Sequence, residues 1–181
     1  MTELRGKTVV LRPFRTEEAE PVLAEARRWL TERKDESALR EGTRSRIETS
    51  GTMTDRGVDF AIEVGGRLVG DVQARRDALP KGAFELGIAL FDEADRGHGY
   101  GREALALLTG HLFGAEGAHR VQLSTDVANG AMREVVEALG FGFEGIMRGF
   151  WPEADGPHDY AMYGLTRDDY EDVRKQWISG S

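Results

Sequence analysis

The sequence predicts an α/β fold (α+β in some schemes) built as one domain. Short apolar runs with strand-like alternation are interspersed with apolar stripes at the three- and four-residue spacing of helices. A chain of 181 residues, 40% hydrophobic and 31% charged, can bury a sizeable core under a well-solvated surface. We therefore expect a single domain over residues 1–181, with a core of about 7–166 and a C-terminal helix over about 166–178.

Composition and charge exclude several classes of function. The 24 Lys+Arg and 32 Asp+Glu residues give a net charge of -8, which repels polyphosphate, so we expect no nucleic-acid partner and a slight preference for a cationic one. The absence of cysteine excludes disulfides and thiol nucleophiles, and no histidine pair has metal-ligand spacing, so no metal is expected. No apolar run approaches the roughly 18 residues of a membrane span, and the N-terminus lacks a signal-like apolar core. We expect a cytoplasmic protein without a membrane partner.

The N-terminal region reads as a strand followed by a helix. Val9–Phe14 alternates like a strand, and Thr16 can cap a helix. That helix carries an apolar stripe of Ala19, Val22, Leu23, Ala26 and Leu30. The polar segment Thr31–Gly57 predicts a short second helix with loops, a place for substrate-specific variation.

A β-hairpin and a third strand follow. The runs DFAIEV and RLVGDVQARR flank Gly65-Gly66, and two glycines accept the positive φ angles of tight hairpin turns. The strand AFELGIALF has large apolar residues on one face and small residues around Glu85 on the other. This second face leaves room for a close-packed helix or for a ligand lying along the strand, and both stay open.

The C-terminal half adds further strands and helices. A glycine-rich turn leads into a helix with an apolar stripe, and the strand HRVQLSTDV follows. Asn129 can cap the next helix, and Gly140 ends it. A closing hairpin turns around Pro152–Pro157, and a charged helix runs from Thr166 to about Trp177. The apolar side chains of that helix can dock on its own core or on a second subunit, so a homodimer stays open.

The glycine-rich turn is the segment that points to chemistry. Arg96–Arg102 places three alternating glycines before a helix, so backbone N–H groups can approach an anion unshielded by side chains. Arg96, His98 and Arg102 add positive potential within an acidic protein. These features predict a phosphate-bearing ligand, and the alternative is a glycine turn that only lets a helix leave a strand tightly.

Spacing tests two phosphate-loop motifs. A dinucleotide-binding G-x-G-x-x-G would need glycine where Arg102 or Ala104 stands. The G-K-[ST] end of a nucleotide-hydrolysing loop is missing, since no lysine lies near. A nucleotide-binding phosphate loop is therefore disfavoured.

The acyl-CoA loop pattern Q/R-x-x-G-x-G/A is met by Arg96, Gly99 and Gly101, which resembles the Gcn5-related N-acetyltransferase (GNAT) superfamily. Further segments resemble that family in order: LRPF, FELGIAL, Asn129, and LGFGFEG with Arg148 and Asp159. The arrangement is most similar to the RimJ/RimL-like ribosomal-protein alanine acetyltransferases, over roughly residues 7–166. This resemblance implies a mixed, largely antiparallel central sheet of about six or seven strands flanked by helices on both faces.

The resemblance also implies an acetyl-CoA co-substrate and no metal. In the family the loop amides hold the pyrophosphate, the pantetheine arm pairs with the strand before the loop where two parallel strands splay, and an asparagine lies near the acetyl end. The residues expected to bind acetyl-CoA are Ile88, Ala89, Leu90, Arg96, Gly97, His98, Gly99, Tyr100, Gly101, Arg102 and Asn129. For Asn129, a plain helix cap is a compatible reading.

Acetyl transfer in such enzymes resembles direct attack by a neutral amine on the thioester, which suits a chain without cysteine. Glu85 is the expected base or amine anchor, and the alternative is a glutamate that pairs with a neighbouring arginine. A backbone N–H near Ala89 or Leu90 is expected to meet the oxyanion. The acceptor is a protein N-terminus or a small cationic molecule.

The general acid is where the sequence departs from the family. Val136 stands at the position of the family tyrosine and Met132 at that of a serine, and both lie on an apolar stripe that predicts core packing. The remaining proton sources are Ser124, Tyr160, Tyr163, His158 or water. This departure keeps open a non-catalytic acyl-CoA-binding or sensing module on the same scaffold.

The acceptor mouth is predicted beside the turn of the closing hairpin. Aromatic and acidic residues cluster there, which suits a cationic amine, and the alternative is a simple hairpin cap. The residues expected to contact the acceptor are Trp151, His158, Asp159 and Tyr160.

Overall fold

A computed structural model describes residues 1–28, 35–153 and 155–179. Its central sheet has the strand order β1-β2-β3-β4-β5-β6-β8-β7. The strands are β1 Leu4–Arg5, β2 Val9–Arg12, β3 Gly57–Val64, β4 Arg67–Arg75, β5 Ala83–Leu90, β6 Arg120–Asp126, β7 Gly142–Glu153 and β8 Gly156–Thr166. The helices are α1 Ala19–Arg28, α2 Glu36–Thr49, α3 Tyr100–Gly114, α4 Gly130–Ala138 and α5 Arg167–Ser179.

The predicted mixed sheet is confirmed, since β5 and β6 run parallel and the other neighbouring strands antiparallel. Within the described residues the sheet has eight strands, one more than the upper end of the prediction, because the two-residue β1 pairs with β2 and places Leu4 opposite Leu11. A strand of two residues leaves too short an alternating pattern to be predicted from sequence.

Helices cover both faces of the sheet, as expected. On β3, Phe60 and Ile62 join the main core, which α3 fills with Leu105 and other apolar residues. Ala61, between them in sequence, packs on the opposite side with Val22 of α1. Because neighbouring residues of a strand point to opposite faces, we call these sides the α3 face and the α1 face.

The first two helices differ from the prediction. Thr16 is not the cap expected of it: it opens a short 3-10 turn, and the Glu18 carboxylate accepts the Arg15 N–H at 2.8 Å while holding the buried Arg12 guanidinium. The second helix is 14 residues long and begins after an Asp35 cap, and its inner side mixes polar Thr43 and Arg46 with apolar Ile47. The end of the predicted apolar stripe of the first helix and the start of the predicted polar segment fall in residues 29–34, which lie outside the described residues.

The closing hairpin continues through its two prolines. Pro152 and Pro157 stand opposite each other in the β7–β8 ladder, where a wide turn was predicted. The pairing of β6 with β8 ends at Asp126 and Tyr160, so Pro157 lies beyond the part of β8 that must donate an N–H to β6. The strands therefore carry the predicted acceptor residues to the tip of the hairpin.

The terminal helix α5 docks on its own chain. Tyr170 stacks on Phe113 of α3, with ring centroids 4.6 Å apart. The Arg167 guanidinium donates to the carbonyl of Phe113 in the last turn of α3 and to that of Ala118 just before β6. Of the two docking surfaces left open by the sequence, the structure uses the chain's own core, and a homodimer stays a prediction.

Candidate active site

Two parallel strands separate at the centre of the sheet. The pairing of β5 with β6 covers three positions and ends where Glu85 stands opposite Gln122. Along its other edge β5 stays paired with β4 as far as Leu90. Ile88, Ala89 and Leu90 therefore have one strand edge free of β6, and all three are half-buried. A strand edge of this kind presents backbone N–H and C=O groups to a ligand.

The glycine loop lies between this strand and α3. Gly97 and Gly99 have φ angles of 78° and 81°, and a Cβ atom on either would meet nothing within 4 Å. Gly99 is the N-cap of α3, so the open space lies in front of a helix N-terminus. A Cβ on Gly101 would lie 3.6 Å from Ile88 Cδ1. The loop and the free edge of β5 thus adjoin one another.

An ion pair holds the start of the loop. Asp95 is buried, and its carboxylate accepts a hydrogen bond from Arg67 Nη1 at 2.9 Å. This hydrogen bond lowers the pKa of the carboxyl. The adjacent Arg96 is exposed and lies 3.5 Å from Glu93, while His98 stacks on Tyr100 with centroids 5.5 Å apart. Arg102, in the first turn of α3, is also exposed. The loop therefore has an anchored base and basic side chains at its surface.

Asn129 begins α4 just beyond the end of β6. Its Oδ1 accepts the Met132 N–H at 3.1 Å, so the predicted helix cap is confirmed. Gly140 follows the end of α4 with a φ of 84°, as expected for a residue that ends a helix. Val136 is fully buried and Met132 packs against the main core, which confirms their predicted packing role.

Glu85 projects from the α1 face at the point where β5 and β6 separate. Gln122 Nε2 donates to its Oε2 at 3.2 Å. Its cross-strand neighbour on β4 is Arg75, and within the described ranges no ion pair joins these two side chains. Along the same face come Gly87 and Ala89, so a narrow strip of small residues leads from the carboxylate to the free strand edge.

The candidate proton sources differ in their surroundings. Tyr163 is fully buried; its hydroxyl donates to Glu137 at 2.7 Å and accepts from Arg133 at 3.0 Å, and burial raises its pKa. Ser124 lies on β6 beyond the separation point, two residues after Gln122, and its hydroxyl makes no hydrogen bond within the described part of the chain. Of these two, only Ser124 has a hydroxyl free to act.

An aromatic cluster stands at the tip of β7 and β8. Tyr160 lies between Phe150 and Trp151, with ring centroids 5.6 and 6.3 Å away. Phe150 is 46% exposed, so the cluster presents apolar surface to solvent. Burial, followed by the charges of Glu153 and Asp126, raises the pKa of the Tyr160 hydroxyl.

The two polar residues predicted for the acceptor mouth are held by other groups. The Asp159 carboxylate accepts the Gly149 N–H at 2.7 Å, within the bulged part of β7. His158 Nδ1 lies 2.6 Å from Asp126, and Nε2 lies 3.0 Å from Asp155. The hydrogen bond with Asp126 is the main reason that the pKa of His158 is raised. Both residues therefore shape the hairpin beside the aromatic cluster.

A buried ionic cluster under α2 was missed by the sequence analysis. Arg46 reaches from α2 to the sheet, 2.5 Å from Asp59 and 3.0 Å from Asp71. Asp71 stands opposite Ala89 in the β4–β5 ladder. Burial raises the pKa of Asp71, and the Arg46 guanidinium offsets part of that rise. The available signal was an aspartate in the apolar run LVGDV, since an inward carboxylate needs a partner.

Two kinds of feature are missing from the described ranges. No group of three or more His, Cys, Asp or Glu residues is arranged there to hold a metal ion. No helix in the same ranges is long and apolar enough to cross a bilayer.

Comparisons with solved structures find acetyltransferases that share this fold. A candidate acetyltransferase from T. thermophilus is 26% identical, with a TM-score of 0.74 over 99% of this chain and 96% of that one. RimJ of Mycobacterium smegmatis, solved with CoA-disulfide, is 22% identical with a TM-score of 0.73, covering 93% of this chain and 87% of that one. The ribosomal-protein-S5-alanine acetyltransferase of Vibrio fischeri is 18% identical with a TM-score of 0.76, covering 94% and 99%. Among curated proteins, none matches the sequence.

The sequence profile of the Acetyltransferase (GNAT) domain matches residues 8–142, and the chain belongs to this family. Enzymes of the family use acetyl-CoA. The resemblance noted in the sequence is thereby confirmed, and RimJ and RimL proteins are among its structural neighbours.

Proposed function

We propose that this protein transfers an acetyl group from acetyl-CoA to a primary amine. The observation that carries the proposal is the meeting of the free β5 edge with the open glycine loop, where a Cβ on Gly101 would lie 3.6 Å from Ile88. One groove thus offers backbone pairing along a strand and amides at a helix N-terminus, which suits a ligand with an amide-containing arm and a pyrophosphate.

In this proposal the backbone N–H groups of Gly97 through Arg102 bind the pyrophosphate. The backbone of Ile88–Leu90 pairs with the pantetheine arm. Asn129 uses Oδ1 to cap α4, which leaves its Nδ2 to donate to the arm near the acetyl end. Asp95 keeps the loop oriented through its ion pair with Arg67.

The reaction follows from what the groove presents to an amine. The amine nitrogen attacks the thioester carbon, a backbone N–H near Ala89 or Leu90 stabilises the oxyanion, and the C–S bond breaks. The amine proton passes to Glu85, directly or through one water molecule. The leaving thiolate takes a proton from water or from Ser124. A strong acid is not needed for this step, because the pKa of a thiol is about 8.5.

The acceptor enters beside the β7–β8 tip in this proposal. Trp151 and Tyr160 offer aromatic surface, and Glu153 and Asp155 give the region a negative potential. A protein N-terminus and a small cationic amine both match this chemistry.

A non-catalytic acyl-CoA-binding module is the second candidate. The packing of Met132 and Val136, at positions where family members carry proton donors, favours it. Both candidates bind acetyl-CoA, but the non-catalytic module acetylates no amine.

The proposal predicts that Gly99→Leu binds acetyl-CoA about tenfold or more weakly, because a side chain would stand in front of amides that bind charged oxygens. Gly117→Leu is the matched control: Gly117 also has a positive φ, 67°, and open space, but lies in the turn after α3. Both changes cost similar backbone strain, on the order of 1 to 2 kcal/mol. Calorimetric titration measures the affinity for acetyl-CoA. Release of CoA thiol with a panel of amines measures acetyl transfer.

Equal affinities of the two variants would contradict the loop assignment. Tight acetyl-CoA binding with no amine acetylated would select the non-catalytic module.

A further inference from the structure

The α1 face beside Glu85 holds two polar side chains that the proposed mechanism does not use. Both come from β4 and lie over Gly87 of β5. Gln73 Nε2 is 2.9 Å, and Arg75 Nη2 is 3.4 Å, from the place where a Cβ atom of Gly87 would stand. The backbone of Gly87 is not in the left-handed region, so the space taken by these side chains is what favours glycine there.

Both side chains have free hydrogen-bonding groups. Within the described ranges, the Arg75 guanidinium has no ion pair and the Gln73 amide has no hydrogen bond. Other arginines of the same sheet are paired, as Arg12 is with Glu18 and Arg120 is with Glu144. The unpaired guanidinium of Arg75 stands next to the Glu85 carboxylate, its cross-strand neighbour, and makes no ion pair with it.

The β4–β5 register places a carboxylate and a guanidinium at adjacent positions. Glu85 and Gly87 are two residues apart on one face of β5, and Arg75 is the cross-strand neighbour of Glu85. An acceptor amine held by the carboxylate would place a neighbouring substituent within reach of the Gln73 and Arg75 side chains that lie over Gly87. A guanidinium presents several N–H donors in a planar fork, which suits a carboxylate or carbonyl oxygen.

We propose that Arg75, assisted by Gln73, is a specificity-determining residue that binds an oxygen attached next to the acceptor's amine. The proposal rests on the acetyl transfer proposed above. The shared chemistry is an amine carbon that carries a carboxylate or a carbonyl group. Glu85 faces the amine, and Arg75 and Gln73 donate to the oxygen.

The test compares three acceptors of similar shape: alanine, alaninamide and isopropylamine. Arg75→Met removes the charge and keeps an unbranched apolar stem. The ratio of wild-type to variant kcat/KM is taken for each acceptor, because this ratio cancels differences in amine basicity. We expect a loss of about tenfold or more for the acceptors that carry oxygen, and a change of less than about threefold for isopropylamine.

Two further variants sharpen the comparison. Arg56→Met makes the same charge change at an exposed arginine just before β3 and is expected to leave all three ratios near one. Gln73→Leu is expected to lower kcat/KM for the same two acceptors as Arg75→Met. The loss should be smaller, since a neutral donor makes a weaker hydrogen bond. Thermal unfolding of each variant verifies that it is folded.

The outcomes separate the two proposals. A larger loss for alanine than for alaninamide supports binding of a carboxylate, and equal losses support binding of a carbonyl oxygen. Equal losses for all three acceptors, or no loss for any, would overturn the role of Arg75 and leave acetyl transfer standing. If the wild-type protein acetylates no amine, the proposed function falls, and the role of Arg75 falls with it.

Discussion

Replacing Glu85 by glutamine is expected to lower kcat by about 10²- to 10⁴-fold, the range that general-base catalysis supplies. Glutamine has nearly the same size and keeps an oxygen that can accept the 3.2 Å hydrogen bond from Gln122. It cannot take the amine's proton. The affinity for acetyl-CoA is expected to stay unchanged, because the loop and the free β5 edge remain as they are.

Steady-state kinetics with saturating acetyl-CoA, together with calorimetric titration of the cofactor, measure the two effects separately. The activity of Glu85→Gln should rise more steeply with pH than that of the wild type, because the amine must then lose its proton to solvent. Glu171→Gln is the control, since Glu171 lies on α5 away from the groove and pairs at the surface with Arg174. An unchanged kcat in Glu85→Gln would remove Glu85 from the mechanism.

Replacing Arg46 by methionine is expected to destabilise the fold by about 3 to 5 kcal/mol. Asp71 would then remain buried without its guanidinium, next to the strand position that pairs with Ala89. Asp59 would lose its partner as well, although it is less buried. Urea unfolding, followed by circular dichroism, measures the loss.

Arg44→Met, two residues earlier on α2, is the matched control. Arg44 is exposed and lies 3.8 Å from Glu41, so its removal is expected to change stability by less than about 0.5 kcal/mol. The double variant Arg46→Met with Asp71→Asn should recover part of the loss, because it removes the stranded charge. Equal stability of the Arg46 and Arg44 variants would contradict the structural role of the cluster.

The elements with strong patterns were predictable from the sequence. The β3–β4 hairpin was predicted by two apolar runs around Gly65-Gly66, and α4 by its stripe, its Asn129 cap and its terminal Gly140. The length of α2 was not predictable, since its inner side interrupts the apolar residues, such as Ile47, with buried Thr43 and ion-paired Arg46. Its pattern therefore resembles that of a loop.

One part of the candidate site could be predicted from the sequence and another could not. The glycine loop is local in sequence, so its motif could be recognised from spacing alone. The neighbours of Glu85 depend on register across three strands, which brings Arg75 from one side and Gln122 from the other. A single sequence does not encode that register in any short motif. The open groups on Gln73 and Arg75 therefore became visible only in the folded sheet.

Thermal unfolding with acetyl-CoA, CoA or Mg-ATP, each at a fixed concentration, tests whether the groove between β5 and the glycine loop binds acetyl-CoA. A ligand at about 100 times its Kd adds roughly 2.7 kcal/mol, or about 5 to 10 °C in Tm for a chain of this size. We expect stabilisation by acetyl-CoA and CoA and none by Mg-ATP. An unchanged Tm with millimolar acetyl-CoA would contradict it, and the groove between β5 and the glycine loop would then be a structural feature without a cofactor.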